Sequence, residues 1–299
     1  MKVVLFCGGL GMRLREFSEQ IPKPMVNIGY RPILWHVMKY YAHYGHKEFI
    51  LCLGHGADVI KTYFLNYSEC LSNDFILSKG GKHLELVSSD IDDWKITFAD
   101  TGANSNIGQR LKAIQKYLAG EEVFLANYSD GLTDLPLPKQ LDHFAGHNRI
   151  ASFACVKPNL SYHFVSATNG GLVTDVRDVR GSNLRINGGY FILKCDIFKY
   201  INDGEELLQE PFQRLVREQE LIAYKYDGFW ASMDTFEDIQ LLDDMYARGN
   251  APWEVWKGLA DARIAEERVR EIPQGVAASS PAAVGAWARR PLPGGRRGR

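Results

Sequence analysis

The run Val3-Val4-Leu5-Phe6-Cys7-Gly8-Gly9-Leu10-Gly11-Met12-Arg13-Leu14 decides the fold. Val3–Phe6 is apolar without alternation, as in a strand covered on both faces, and it ends in a glycine turn. In an open α/β sheet, a glycine loop at the carboxyl end of a strand is where ligands bind. Glycine lets the backbone approach a phosphate chain, and exposed N–H groups act as anion donors. Arg13 adds a guanidinium able to grip phosphate with two hydrogen bonds. A simple tight turn has the same glycines, so the loop alone does not fix a function. It is not a nicotinamide fingerprint: the third glycine of G-x-G-x-x-G is missing. The second strand ends in Gly54-His55-Gly56, with no acid to hold a ribose. No Gly-Lys-Ser/Thr follows, which excludes a P-loop.

Outward from this run, Ile33, Leu34, Val37, Met38 and Tyr41 have helical spacing, as do Val59, Ile60, Tyr63, Phe64 and Tyr67. Ile107, Leu111, Ile114 and Leu118 predict a third helix, and Phe49–Leu53 and Val123–Ala126 two more buried strands. This predicts a doubly wound α/β unit over residues 1–135. Residues 136–257 form a smaller, β-rich part. There 151–156, 190–193 and 221–224 are strands, Phe212, Leu215 and Val216 mark a short helix, and 164–185 suggests exposed hairpins. A helical extension is expected over 258–273 and a disordered Ala/Pro/Gly/Arg-rich tail over 274–299.

The composition excludes several classes. Among 299 residues, 35 Lys and Arg face 36 Asp and Glu, so no global field favours nucleic acid or an anionic membrane. No apolar run approaches the ~18 residues of a spanning helix, and the first strand leaves no room for a signal peptide. Cys7, Cys52, Cys70, Cys155 and Cys195 are odd in number and spaced unlike zinc ligands, which reads as reduced thiols in the cytoplasm.

Three further residues carry chemistry. In Ile21-Pro22-Lys23-Pro24-Met25 two prolines hold the backbone extended and display Lys23, whose ammonium suits a polyphosphate. Asp130 follows the strand Val123–Ala126 and precedes Gly131, where it can hold Mg²⁺ together with substrate phosphates. Asp234, beyond the aromatic run at Phe229-Trp230, is either a second metal ligand or the N-cap of the next helix.

Together with Pro32-Ile33-Leu34-Trp35-His36, Asp100-Thr101-Gly102, Gly108-Gln109-Arg110-Leu111 and Ile186-Asn187-Gly188-Gly189, these segments resemble the sugar-1-phosphate nucleotidyltransferases over residues 1–257. The resemblance implies a Rossmann-like, doubly wound mixed sheet, the nucleotide-diphospho-sugar transferase fold. It implies that Gly8, Gly9, Gly11, Arg13, Lys23, Ser105, Arg110 and Ser129 bind the nucleotide. Asn187 and Gly188 would line the sugar pocket, and Asp130 and Asp234 would hold Mg²⁺. Arg13, Lys23 and Asp130 would be catalytic in the attack of a sugar-1-phosphate on the α-phosphorus of an NTP. CTP and glucose-1-phosphate are the favoured pair, and a homo-oligomer is implied, with Pro252–Lys257 as an interface candidate.

Two departures stand out. Met12 replaces a hydroxyl residue of the loop. The Glu-Lys-Pro segment expected before Asn-Gly-Gly is replaced by Val176-Arg177-Asp178-Val179-Arg180-Gly181, with Arg177 or Arg180 as the substitute cation. They leave open another base, a non-glucose sugar or cyclitol phosphate, and a catalytically weak nucleotide-sugar-binding homologue. A nucleotide-sugar glycosyltransferase fits less well, because the Gly8–Arg13 loop with Lys23 suits a triphosphate. His36, His43 and His46 read as helix-surface or core-edge residues, Cys7 as small and buried, and Trp35, Trp94, Trp230, Trp253 and Trp256 as packing and interface residues, with Trp230 set apart by its place four residues before Asp234.

Overall fold

The computed structural model describes residues 1–9, 21–158, 163–179 and 183–258. Gly11, Met12, Arg13 and Arg180, nearly all of the 258–273 extension and the whole 274–299 tail lie outside the described residues. The chain begins with β1 (Val3–Phe6), the short ladder β2 (Asn27–Ile28) and β3 (Arg31–Pro32), and α1 (Ile33–His43). Next come β4 (Glu48–Leu53), α2 (Ala57–Leu65), the hairpin β5 (Phe75–Ser78) and β6 (His83–Leu86), β7 (Lys95–Asp100) and α3 (Ile107–Ile114). Then follow β8 (Val123–Asn127), β9 (Gly131–Thr133), α4 (Leu137–His147), β10 (Ala151–Val156) and the hairpin β11 (His163–Ala167) and β12 (Val173–Asp178). The remainder is β13 (Ile186–Lys194), α5 (Glu210–Arg217), β14 (Leu221–Lys225), β15 (Trp230–Ser232) and α6 (Phe236–Ala247).

Seven strands make one sheet in the order β14-β10-β13-β8-β1-β4-β7. β13 runs antiparallel to both its neighbours, and every other pairing in the sheet is parallel. β1 lies between β4 and β8, so Val3 pairs with both Phe49 and Leu125. Its period of two divides the core: Val3, Leu5 and Cys7 enter one layer, Val4 and Phe6 the other. The first layer takes buried residues of α1, α2, α4 and α6, the second those of α3 and α5. Helices on both faces explain why the central strands are apolar throughout. The sheet continues across residue 135, and Met1–Lys257 form one compact unit.

Several elements differ from the sequence reading. The third helix ends at Ile114 and tightens into a 3₁₀ turn, Gln115–Leu118, that still buries Leu118. β7 went unread because an edge strand carries only the half-buried Ile96 and Phe98 and the buried Ala99. α4 went unread because Pro138 breaks its pattern, although proline is tolerated in a first helical turn. His36 is not at the surface. It is fully buried among the rings of Trp35, Tyr246, Trp253 and Trp256, with centroids 5.1, 5.9, 6.3 and 6.3 Å away. Trp253 is itself taken up by this chain's core, its ring tilted against Phe229, and so is not available to an interface.

Candidate active site

The carboxyl ends of β1, β4 and β7 meet over one buried guanidinium. Arg110 of α3 donates from Nη2 to Gly8 O at 2.7 Å, and from Nη1 to Thr101 Oγ1 at 2.7, Gly102 O at 3.0 and Leu53 O at 3.2 Å. The approach is so close that a Cβ on Gly8 would stand 2.2 Å from Nη1, and one on Gly54 2.8 Å. Glycine is required at both positions for want of space. Gly9 is exposed, with nothing near where a Cβ would be. Ser105 closes the same turn, its hydroxyl donating to Thr101 O at 2.5 Å. Burial drives the Arg110 pKa down, yet the carbonyl dipoles around it favour the charged form.

Lys23 arrives differently from the sequence reading. Pro22 is extended, but Lys23–Met25 is a 3₁₀ turn closed by Met25 N donating to Pro22 O at 2.7 Å. Pro22 packs on Gly56, whose φ of +65° and lack of a Cβ leave room for the ring. Buried Pro24 and Met25 fix the turn, and the lysine points away from them toward two carboxylates. Its Nζ donates to Asp130 Oδ2 at 2.7 Å and to Asp234 Oδ1 at 2.8 Å. Burial works against the ammonium, but Asp130 foremost and then Asp234 outweigh it and hold the Lys23 pKa above its ordinary value.

The two aspartate loops are tied at the backbone: Met233 N donates to Asp130 O at 2.8 Å, extending the β9–β15 ladder. The helix-cap alternative for Asp234 is overturned. Thr235 caps α6 in a reciprocal box with Asp238, and the Asp234 carboxylate accepts from Lys23 and from the Ser232 hydroxyl at 2.8 Å. Ser129, just before Asp130, is buried at φ +68°. Its N–H donates to Asn127 Oδ1 at 2.8 Å and its hydroxyl lies 3.4 Å from Cys7 Sγ. Burial pushes the Cys7 thiol up to about 12, so it is an inert packing residue.

On the other side of Asp130, Asn187 Nδ2 donates to Tyr128 OH at 3.2 Å and its Oδ1 accepts from Gly189 N at 2.9 Å. Gly189, at φ +77°, is required there because a Cβ would strike the Tyr128 ring at 2.6 Å. Trp230 Nε1 donates to Gly188 O at 2.8 Å and its indole also covers Gly131. Tyr128 escaped the sequence reading, although its place two residues before Asp130 was a usable signal. Arg177 is exposed and paired with Asp175 on the β11–β12 hairpin. The cation that precedes Asn187 is Arg185, just before β13 begins, bonded to Cys155 O, Tyr226 O and Asp227.

The donor set fits magnesium. Two carboxylates from separate loops converge on one cation, here an ammonium, and Mg²⁺ takes one or two carboxylates with phosphate and water oxygens. Among the described residues there is no cluster of three or more His, Cys, Asp or Glu that could hold a metal ion by itself. Nor does any helix among them have the length and apolarity to cross a membrane.

Comparison with known proteins identifies the family. Residues 2–240 match the family model described as nucleotidyl transferase. The glucose-1-phosphate cytidylyltransferases of Salmonella typhimurium and Salmonella typhi are each 37% identical over 258 residues, 86% of this chain and 100% of theirs. The solved structure of apo UDP-glucose pyrophosphorylase superposes with a TM-score of 0.61 at 17% identity, over 83% of this chain and 99% of that one. The chain is therefore a member of the nucleotidyl transferase family, an enzyme similar over 86% of its length to glucose-1-phosphate cytidylyltransferases.

Proposed function

We propose that this enzyme transfers a cytidylyl group from CTP to glucose-1-phosphate, releasing pyrophosphate. The observation that carries the reading is the convergence of Lys23, Asp130 and Asp234 beside the Gly8 loop, in a chain so similar to cytidylyltransferases. Nucleophile and electrophile are both anionic, so positioning and charge neutralisation do most of the work and no covalent intermediate is needed. Asp130 and Asp234 would hold Mg²⁺, which neutralises phosphate charge when bound. Lys23 supplies an ammonium to the phosphate chain, and Arg13 a second cation. Arg110 holds the Gly8 carbonyl at the start of the glycine loop. Tyr128 and Trp230 fix Asn187 and Gly188 as the sugar-facing edge.

A second reading keeps the chemistry and changes the acceptor. The lysine of the missing Glu-Lys-Pro has no counterpart in residues 176–181, and Arg177 is committed to Asp175. A modified hexose, heptose or cyclitol phosphate fits such a site. Pyrophosphate release, measured with each of five nucleoside triphosphates against a panel of sugar and cyclitol phosphates, separates the two. Release confined to CTP with glucose-1-phosphate supports the first reading, and release with another acceptor the second. Silence with every pair defeats both.

A further inference from the structure

The Lys23 ammonium stands where the metal's two carboxylate ligands converge. Asp130 reaches it from the loop after β8 and Asp234 from the loop after β15, at 2.7 and 2.8 Å. The lysine side chain is only 15% exposed, so these carboxylates, rather than water, are its main partners. The backbone beneath it is fixed by Pro22, Pro24 and Met25, but a lysine stem carries several rotatable bonds and can swing while the turn stays still.

A divalent cation that takes both carboxylates needs the oxygens that Lys23 now holds. Magnesium binds oxygen at ~2.0–2.1 Å, and two cations cannot share that space in a half-buried site without strong repulsion. Resting on the assignment of Asp130 and Asp234 as magnesium holders, we propose that Lys23 is the resident counter-ion of the metal site. It keeps the two carboxylates paired before substrate arrives and opposes entry of metal alone. It yields them when a polyphosphate offers its ammonium another anion. Metal and nucleotide therefore load together, and the idle enzyme holds free metal poorly.

The test is Mn²⁺ binding to the full chain without nucleotide, followed by electron paramagnetic resonance. Lys23→Met removes the ammonium and leaves two facing carboxylates, and it binds Mn²⁺ at least about tenfold more tightly than the wild type. Lys23→Arg keeps a cation and stays close to the wild type. Adding Asp130→Asn to Lys23→Met abolishes the gain, which places the ion at this site. Equal or weaker Mn²⁺ binding by Lys23→Met overturns the proposal.

Should Lys23→Met not fold, acetylation of Lys23 in the wild type gives a second readout. Labelling by acetic anhydride, followed by mass spectrometry, rises as Mn²⁺ alone is titrated in, because the metal expels the ammonium. A fall or no change overturns the idea. Pyrophosphate release by the wild type is scored separately. Turnover without these metal effects removes the counter-ion role and leaves the reaction, whereas absence of both turnover and Mn²⁺ binding removes the reading beneath it.

Discussion

Ser129 is the residue on which the geometry of Asp130 turns. Its φ of +68° is a left-handed conformation that side chains with a Cβ adopt at a cost of ~1–2 kcal/mol. The turn survives because Asn127 accepts the Ser129 N–H and the side chain is sealed against Cys7. Ser129→Gly should unfold at the same urea concentration as the wild type or a slightly higher one. Ser129→Val, branched at Cβ in a left-handed position, should lose about 2 kcal/mol or more. Equal midpoints for the two variants would show that the backbone stores no strain there. Arg110 makes a different prediction. Arg110→Met leaves the carbonyls of Gly8 and Gly102 buried without their donor, and should cost about 3 kcal/mol in urea unfolding. The same variant should raise the KM for the nucleotide more than it lowers kcat, since the loop's frame is lost while Lys23, Asp130 and Asp234 remain.

At the scale of elements, α1 and the chain after α6 are joined through His36. Burial, the leading cause, lowers its pKa to about 4 from 6.5, and its Nε2 lies 3.0 Å from Ile28 O. Between those two values the unfolded chain binds a proton that the folded chain refuses. The His36 contribution to stability is therefore full above about pH 6.5, falls as pH is lowered, and levels off below about pH 4. The His36 share of that loss is about 3 kcal/mol. Urea unfolding of wild type and His36→Gln at about pH 7.5 and about pH 4 measures it. The wild type should lose that much more than the variant, and parallel losses would assign the pH dependence to other groups. His36 also shows the limit of reading helices from sequence. The spacing of Ile33, Leu34, Val37 and Met38 marks a buried face, but α1 is buried on nearly every side because residues more than 200 positions later close over it. The candidate site residues Lys23, Asp130 and Asp234 were legible, since each stands beside a strong local signal: two prolines, a buried strand, an aromatic run. The contacts of Tyr128 with Asn187, of Trp230 with Gly188 and of Arg110 with Gly8 were not. They arise only when segments 42 to 102 residues apart in sequence meet at one end of the sheet's strands.

For the whole molecule, the position of Trp253 fixes where the folded body has to end. Its ring is 1% exposed, tilts against Phe229 at 5.6 Å and meets His36 edge-on at 6.3 Å, while Trp256 meets Trp35 edge-on at 5.9 Å. These contacts belong to the same layer of core as Val3 and Leu5 of β1, so the segment Ala251–Lys257 completes the core that carries the site. A chain cut after Lys257 should keep the wild-type urea midpoint and the full rate of pyrophosphate release, because the compact unit Met1–Lys257 is intact. A chain cut after Asn250 loses both indoles and exposes the buried His36. Removal of one large buried aromatic side chain costs ~3–5 kcal/mol, so this shorter chain should lose at least about 4 kcal/mol. Its activity should fall with its folded fraction rather than through a changed KM, since both indoles pack into the core layer around His36. Urea unfolding of the two truncations, read beside their kinetics, decides the matter. A shorter chain as stable as the longer would mean that the aromatic box closes over nothing the fold needs, and a longer chain that unfolds early would place part of the core beyond Lys257.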